Sequence, residues 1–113
     1  MGVLDGVSYL QEGQGEDLVF LHGYLACKES FAYQIACFSK FFRVTAFDFP
    51  GMGKSAPLSS PWSVGEYAAH ARKVLAALGV GKTKLIAHSF GGRVALKLLS
   101  ESPELFERAL LTG

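Results

Sequence analysis

Two cysteines in 113 residues, Cys27 and Cys37, are too few for a disulfide framework, and with no CxxC pair they do not read as a zinc site. Free thiols of this kind are expected to be buried. An excess of charge of one sign is also missing: 11 Lys and Arg stand against 10 Asp and Glu, a formal net charge of +1. That balance gives no reason to expect nucleic acid or an anionic membrane as a partner. No apolar run reaches the ~18 residues that a membrane helix needs. The opening MGVLDGVSYLQEG carries an acidic group and no long apolar run, so it does not read as a secretory signal. Myristoylation after Met1 would want Ser or Thr at position 6, where Gly6 stands. The chain reads as soluble and cytoplasmic, with no metal and no cofactor required.

What is present is apolar mass. Half of the residues are hydrophobic, nine of them Phe, which suffices for one domain with a real core over 1–113. Val7 to Gln11 reads as an opening strand, closed by the Gly13-Gln14-Gly15 turn. The continuous run Leu18-Val19-Phe20-Leu21 reads as a strand buried on both faces. A helix is expected over 30–40 and a strand over Arg43 to Phe47, ended by Pro50-Gly51. Between Ser63 and Leu78, Val64, Tyr67, Ala68, Ala71, Val74, Leu75 and Leu78 form one helical stripe. Ser63 with Glu66 makes a capping box, and Gly79 is the stop. Thr83 to His88 is a further strand, Gly91 to Ser100 a helix, and Ala109-Leu110-Leu111 the start of one more strand. This alternation predicts an α/β fold with a mostly parallel sheet flanked by helices.

The stretch LIAHSFGGRVAL, residues 85–96, puts Ser89 at the carboxyl end of a buried strand and the start of a helix. Ligands of open α/β sheets bind beyond the carboxyl ends of the strands. A sharp turn there demands small residues two before and two after the serine, and these are Ala87 and Gly91. The N–H of Phe90 then faces the same spot at the positive end of the helix. The pattern is the G-x-S-x-G nucleophile elbow with alanine for the first glycine. On its own, S-x-G-G fits a helix-capping serine equally well.

Two further stretches accompany it, His22-Gly23 after the first buried strand and Asp48-Phe49-Pro50-Gly51-Met52-Gly53-Lys54-Ser55 after the next. In this order, from about Tyr9 to Gly113, the chain resembles the α/β-hydrolase family. The resemblance implies that Ser89 is the nucleophile and that the N–H groups of Phe90 and Tyr24 form an oxyanion hole. It implies that His22 and Gly23 support the oxyanion loop, with Gly91 behind the elbow, and that the Asp48–Ser55 loop shapes the sheet's edge without being catalytic. The family's acid and base follow the serine in order, so both are expected beyond residue 113, after about the sixth strand.

The three histidines leave that expectation standing. His88 precedes Ser89 on a strand and points the other way, His22 belongs to the loop, and His70 lies at the flank of the helical stripe, partly solvated. Gly53-Lys54-Ser55 and Gly81-Lys82-Thr83 end like phosphate-binding loops, but Asp48 and Ala76 occupy the required earlier glycine position. The expected activity is a serine hydrolase attacking an ester-like bond of a small substrate. Tyr24, Leu25 and Phe90 suggest an apolar acyl or alcohol group, and serine in place of aspartate argues against dehalogenases and epoxide hydrolases. An acyltransferase, a cofactor-independent haloperoxidase, a lyase or a non-catalytic binding protein on the same scaffold remain the alternatives.

Overall fold

In the computed structural model, which describes residues 2–113, the chain opens with a hairpin. Strands β1 (Gly2–Leu4) and β2 (Val7–Glu12) pair antiparallel, Leu4 opposite Val7. The turn between them is Asp5-Gly6, with φ of 50° and 79°, the pair of left-handed residues that a two-residue hairpin needs. The sequence expectation begins only at Val7, although an Asp-Gly pair before a strand is itself a hairpin signal.

β3 (Glu16–Leu21) leads into a 3-10 turn at Lys28–Phe31 and helix α1 (Ala32–Phe38). β4 (Phe42–Phe47), α2 (Val64–Ala77), β5 (Thr83–His88) and α3 (Phe90–Glu101) follow, and β6 (Phe106–Thr112) is the last strand. The sheet order is β1-β2-β4-β3-β5-β6. β3 pairs parallel with β4 and β5, and β5 with β6, while β2 joins β4 antiparallel. The sheet is therefore mixed and mainly parallel, with helices on both faces.

Period-two alternation divides the core. Val19, Leu21, Phe47, Leu85 and Ala87 face α2 and α3. Leu10, Leu18, Phe20, Val44 and Ala46 face α1 through Ile35. Continuous apolar runs in β3 and β5 follow from this two-sided burial. α2 has the expected ends: Glu66 N–H donates to Ser63 Oγ at 3.2 Å, and Ser63 N–H to Glu66 Oε1 at 2.9 Å. Trp62 packs on Tyr67 with ring centroids 5.4 Å apart, a hydrophobic staple across the cap. At the other end Gly79 takes φ 75° and Val80 N–H reaches Leu75 O at 2.9 Å, a Schellman stop.

Three expectations need correction. The helix expected over 30–40 is shorter and is preceded by the 3-10 turn, because Lys28 is drawn into the interior there. Cys27 is only half-buried and Cys37 exposed: α1 buries Ile35 alone, so Cys37 lies on its outer face. β6 starts at Phe106, three residues before its apolar run, because pairing with β5 carries Glu107 and Arg108 along an exposed surface.

Candidate active site

Ser89 is the joint between β5 and α3, with φ 53° and ψ −115°. A non-glycine residue in that region costs roughly 1–3 kcal/mol and persists only where its surroundings enforce it. Here they do. Ser89 N–H donates to Thr112 O at 2.8 Å, and the Ser89 carbonyl accepts from Gly92 N–H at 2.9 Å. The hydroxyl makes no capping hydrogen bond, so the helix-cap reading of this serine fails. Ser89 stands exposed at the end of a buried strand.

Gly91 is indispensable to this joint. A Cβ there would lie 2.6 Å from the His22 carbonyl oxygen and closer still to that of Leu21. α3 therefore starts directly against the end of β3. Gly23 is close on the other side, since a Cβ built on it would lie 3.5 Å from Ser89 Cβ. The loop after β3 turns at Gly23–Ala26, closed by Ala26 N–H to Gly23 O at 3.2 Å, with Leu25 at φ 57°. Thus two of the three non-glycine residues at positive φ flank one spot. Neither Tyr24 nor Phe90 gives its backbone N–H to a loop or cap acceptor among the described residues. Phe90 is the first residue of α3, whose opening amides have no partner within the helix. The Tyr24 and Phe90 rings meet edge to face at 5.7 Å.

The histidines have other partners. Phe49 N–H donates to His22 Nε2 at 3.0 Å, which leaves the proton on Nδ1, 2.6 Å from Gly23 O. Burial lowers the His22 pKa, against the pull of the Gly23 carbonyl and Asp48. His22 is thus a neutral strut between two backbone groups. His88 Nδ1 lies 2.9 Å from Thr112 Oγ1, on the strand neighbour. His70 packs against Trp62 and Phe47, with Nδ1 buried and without a partner among the described residues. Burial, then Lys73, lowers its pKa. None of the three hydrogen-bonds the Ser89 hydroxyl.

Two features were legible only in part from the sequence, which named Tyr24, Leu25 and Phe90 for the first and a loop without chemistry for the second. One is a cleft of about 470 Å³ lined by Tyr24, Leu25, Met52, Leu58, Trp62 and Phe90. Tyr67 closes its floor, touching Phe90 at 5.1 Å and Phe49 at 5.7 Å. Burial, with Tyr24 nearby, raises the Tyr67 phenol above its usual range, so it stays neutral. Trp62 ends the stretch 56–62, which holds Pro57 and Pro61 and runs up to the Ser63 cap of α2. The other is Asp48, fully buried after β4, an interior strand. Its loop is a central anchor where the sequence suggested a trim at the sheet's edge. Asp48 accepts from Lys28 N–H at 2.7 Å, Lys28 Nζ at 3.0 Å and Lys54 N–H at 2.9 Å. Against the cost of burial, these donors hold its carboxyl below the ordinary value. Among the described residues no cluster of His, Cys, Asp and Glu could hold a metal, and no helix is long and apolar enough to cross a membrane.

This arrangement has known counterparts. The sequence model of the alpha/beta hydrolase fold matches residues 18–113. The chain belongs to that family. It is 32% identical over 106 residues to an (E)-2-((N-methylformamido)methylene)succinate hydrolase of Acinetobacter baylyi, covering 93% of this chain and 40% of the relative. Est816, an N-acyl homoserine lactone degrading enzyme, superposes with a TM-score of 0.89 at 28% identity, over 95% of this chain and 42% of its own. An epoxide hydrolase from Bacillus megaterium does so with a TM-score of 0.87 at 26% identity, over 93% and 38%. The chain thus spans about two fifths of the length of these hydrolases.

Proposed function

We propose that this chain carries the nucleophile and oxyanion-binding half of a serine hydrolase that cleaves a carboxylic ester, thioester or lactone. The observation that carries the reading is the strained, uncapped Ser89, beside the Tyr24 and Phe90 amides, which go to no loop or cap acceptor among the described residues. Backbone strain enforced by the surrounding structure clusters at active sites, and it supports this reading.

In this mechanism Ser89 Oγ attacks the carbonyl carbon and its proton passes to a general base. The carbonyl π electrons move to oxygen, and the N–H groups of Tyr24 and Phe90 stabilise the oxyanion. Collapse expels the alcohol or thiol, which takes the proton. Water, activated by the same base, then attacks the acyl-serine and releases the acid and Ser89. His22 has both nitrogens engaged, His88 leans on Thr112, and His70 is packed behind Trp62. The base and the carboxylate that orients it are therefore taken from the family's order, in which an acid and then a histidine follow the serine. The aromatic cleft beside Phe90 receives an uncharged apolar group of the substrate, because no charged side chain lines it.

In the complete protein, Ser89→Ala is expected to lower hydrolysis of a p-nitrophenyl ester by at least about a thousandfold, with folding intact by circular dichroism. Turnover equal to that of the unaltered protein would remove Ser89 from the reaction.

A further inference from the structure

The loop that carries Tyr24 is tied down at both ends, and the two ties land on adjacent residues. At its entrance, His22 Nε2 accepts from Phe49 N–H at 3.0 Å. At its exit, Lys28 meets Asp48 twice, N–H to Oδ1 at 2.7 Å and Nζ to Oδ2 at 3.0 Å. The Lys28 side chain is wholly buried, and Nζ also reaches Ser8 Oγ at 2.9 Å and Glu29 Oε2 at 3.1 Å. Gly23 to Cys27 thus form a five-residue bow whose feet stand side by side at the end of β4.

A lysine is not the most stabilising way to fill this place. Exchanging a buried ion pair for apolar residues is often neutral or favourable, whereas a pair with fixed partners specifies one geometry. Here the geometry concerns the backbone. One carboxylate grips both the amide and the ammonium of Lys28, so the chain leaving the bow cannot shift without breaking both contacts. Hydrogen bonds to Asp48 and Glu29 outweigh the cost of burial and keep the Lys28 pKa above its ordinary value, so the grip is a charged one.

We propose that Lys28 is a positioning residue for the oxyanion hole: through Asp48 it sets where the Tyr24 N–H points relative to Ser89. This rests on the serine-hydrolase reading, and it adds a residue that touches neither substrate nor Ser89. A displaced donor weakens the transition state while leaving ground-state binding largely intact.

The test uses the complete protein, p-nitrophenyl butyrate as substrate and a fluorophosphonate to count reactive serines. The variant is Lys28→Met with Asp48→Asn, which leaves no unpaired buried charge. The expected result is kcat per titrated site lower by about tenfold to a hundredfold, with KM within about twofold. Arg43→Gln breaks the Asp17 ion pair (2.7 Å) at the opposite ends of β3 and β4, and it should keep kcat per site. An unchanged kcat per site in the double variant, or an equal loss in Arg43→Gln, overturns the proposal. Should the double variant yield no titratable serine, Ser8→Ala decides: a severalfold lower kcat at constant KM supports the proposal, and an unchanged kcat overturns it. Unaltered protein that neither takes up fluorophosphonate at Ser89 nor turns over ester sinks the serine-hydrolase reading first, and this inference with it.

Discussion

Ser89 carries a conformation that glycine would adopt more easily. This separates what the residue costs from what it does. Ser89→Ala retains the strain and Ser89→Gly releases it, so the glycine variant should unfold at the higher temperature, by the equivalent of about 1 kcal/mol. Both variants should be equally inactive. Thermal unfolding followed by circular dichroism checks this, and equal midpoints would mean the backbone at Ser89 is relaxed. His22 makes the complementary point. The family resemblance assigns it to the loop, and the hydrogen bonds on its ring leave neither nitrogen free to act as a base.

The start of α3 offers a paired test at the level of the element. Gly91 abuts two carbonyl oxygens of the β3 end, while a Cβ on Gly92 would meet nothing within 4 Å. Gly91→Ala should therefore destabilise by about 1–3 kcal/mol through overpacking. Gly92→Ala should stabilise by up to about 1 kcal/mol through helix propensity. Urea titration of both variants gives the two signs, and a shared sign would contradict the packing described here. The sequence showed the need for a small residue at 91 because a strand-to-helix elbow leaves no space there. It showed α2 and its caps equally well, since Ser63, Glu66 and Gly79 act through neighbours in the chain. Lys28 and Asp48 were opaque for the opposite reason. Their contacts lie 20 residues away for the Lys28–Asp48 pair, and nothing local distinguishes a buried lysine from a solvated one.

Over the whole molecule, the sheet has two edges, β1 and β6. β6 is exposed along nearly its whole length, with Leu110 57% and Leu111 36% accessible. Beside it runs an apolar groove of about 260 Å³ lined by Leu18, Phe42, Ile86 and Leu110. An open apolar edge strand is a template for pairing. Residues 1–113 expressed alone should sediment as dimers or larger species, and Leu110→Lys should shift them toward monomer. A well-behaved monomer with cooperative unfolding would contradict this.

The placement of the bow's feet also bears on how such a site can diversify. Because His22 and Lys28 dock on neighbouring residues, the side chains from Tyr24 to Ala26 can be exchanged while the backbone that carries them stays on its two ties. The half-turn that faces the cleft is then a variable lining on a fixed mount, and its shape and polarity can drift at little risk to the fold.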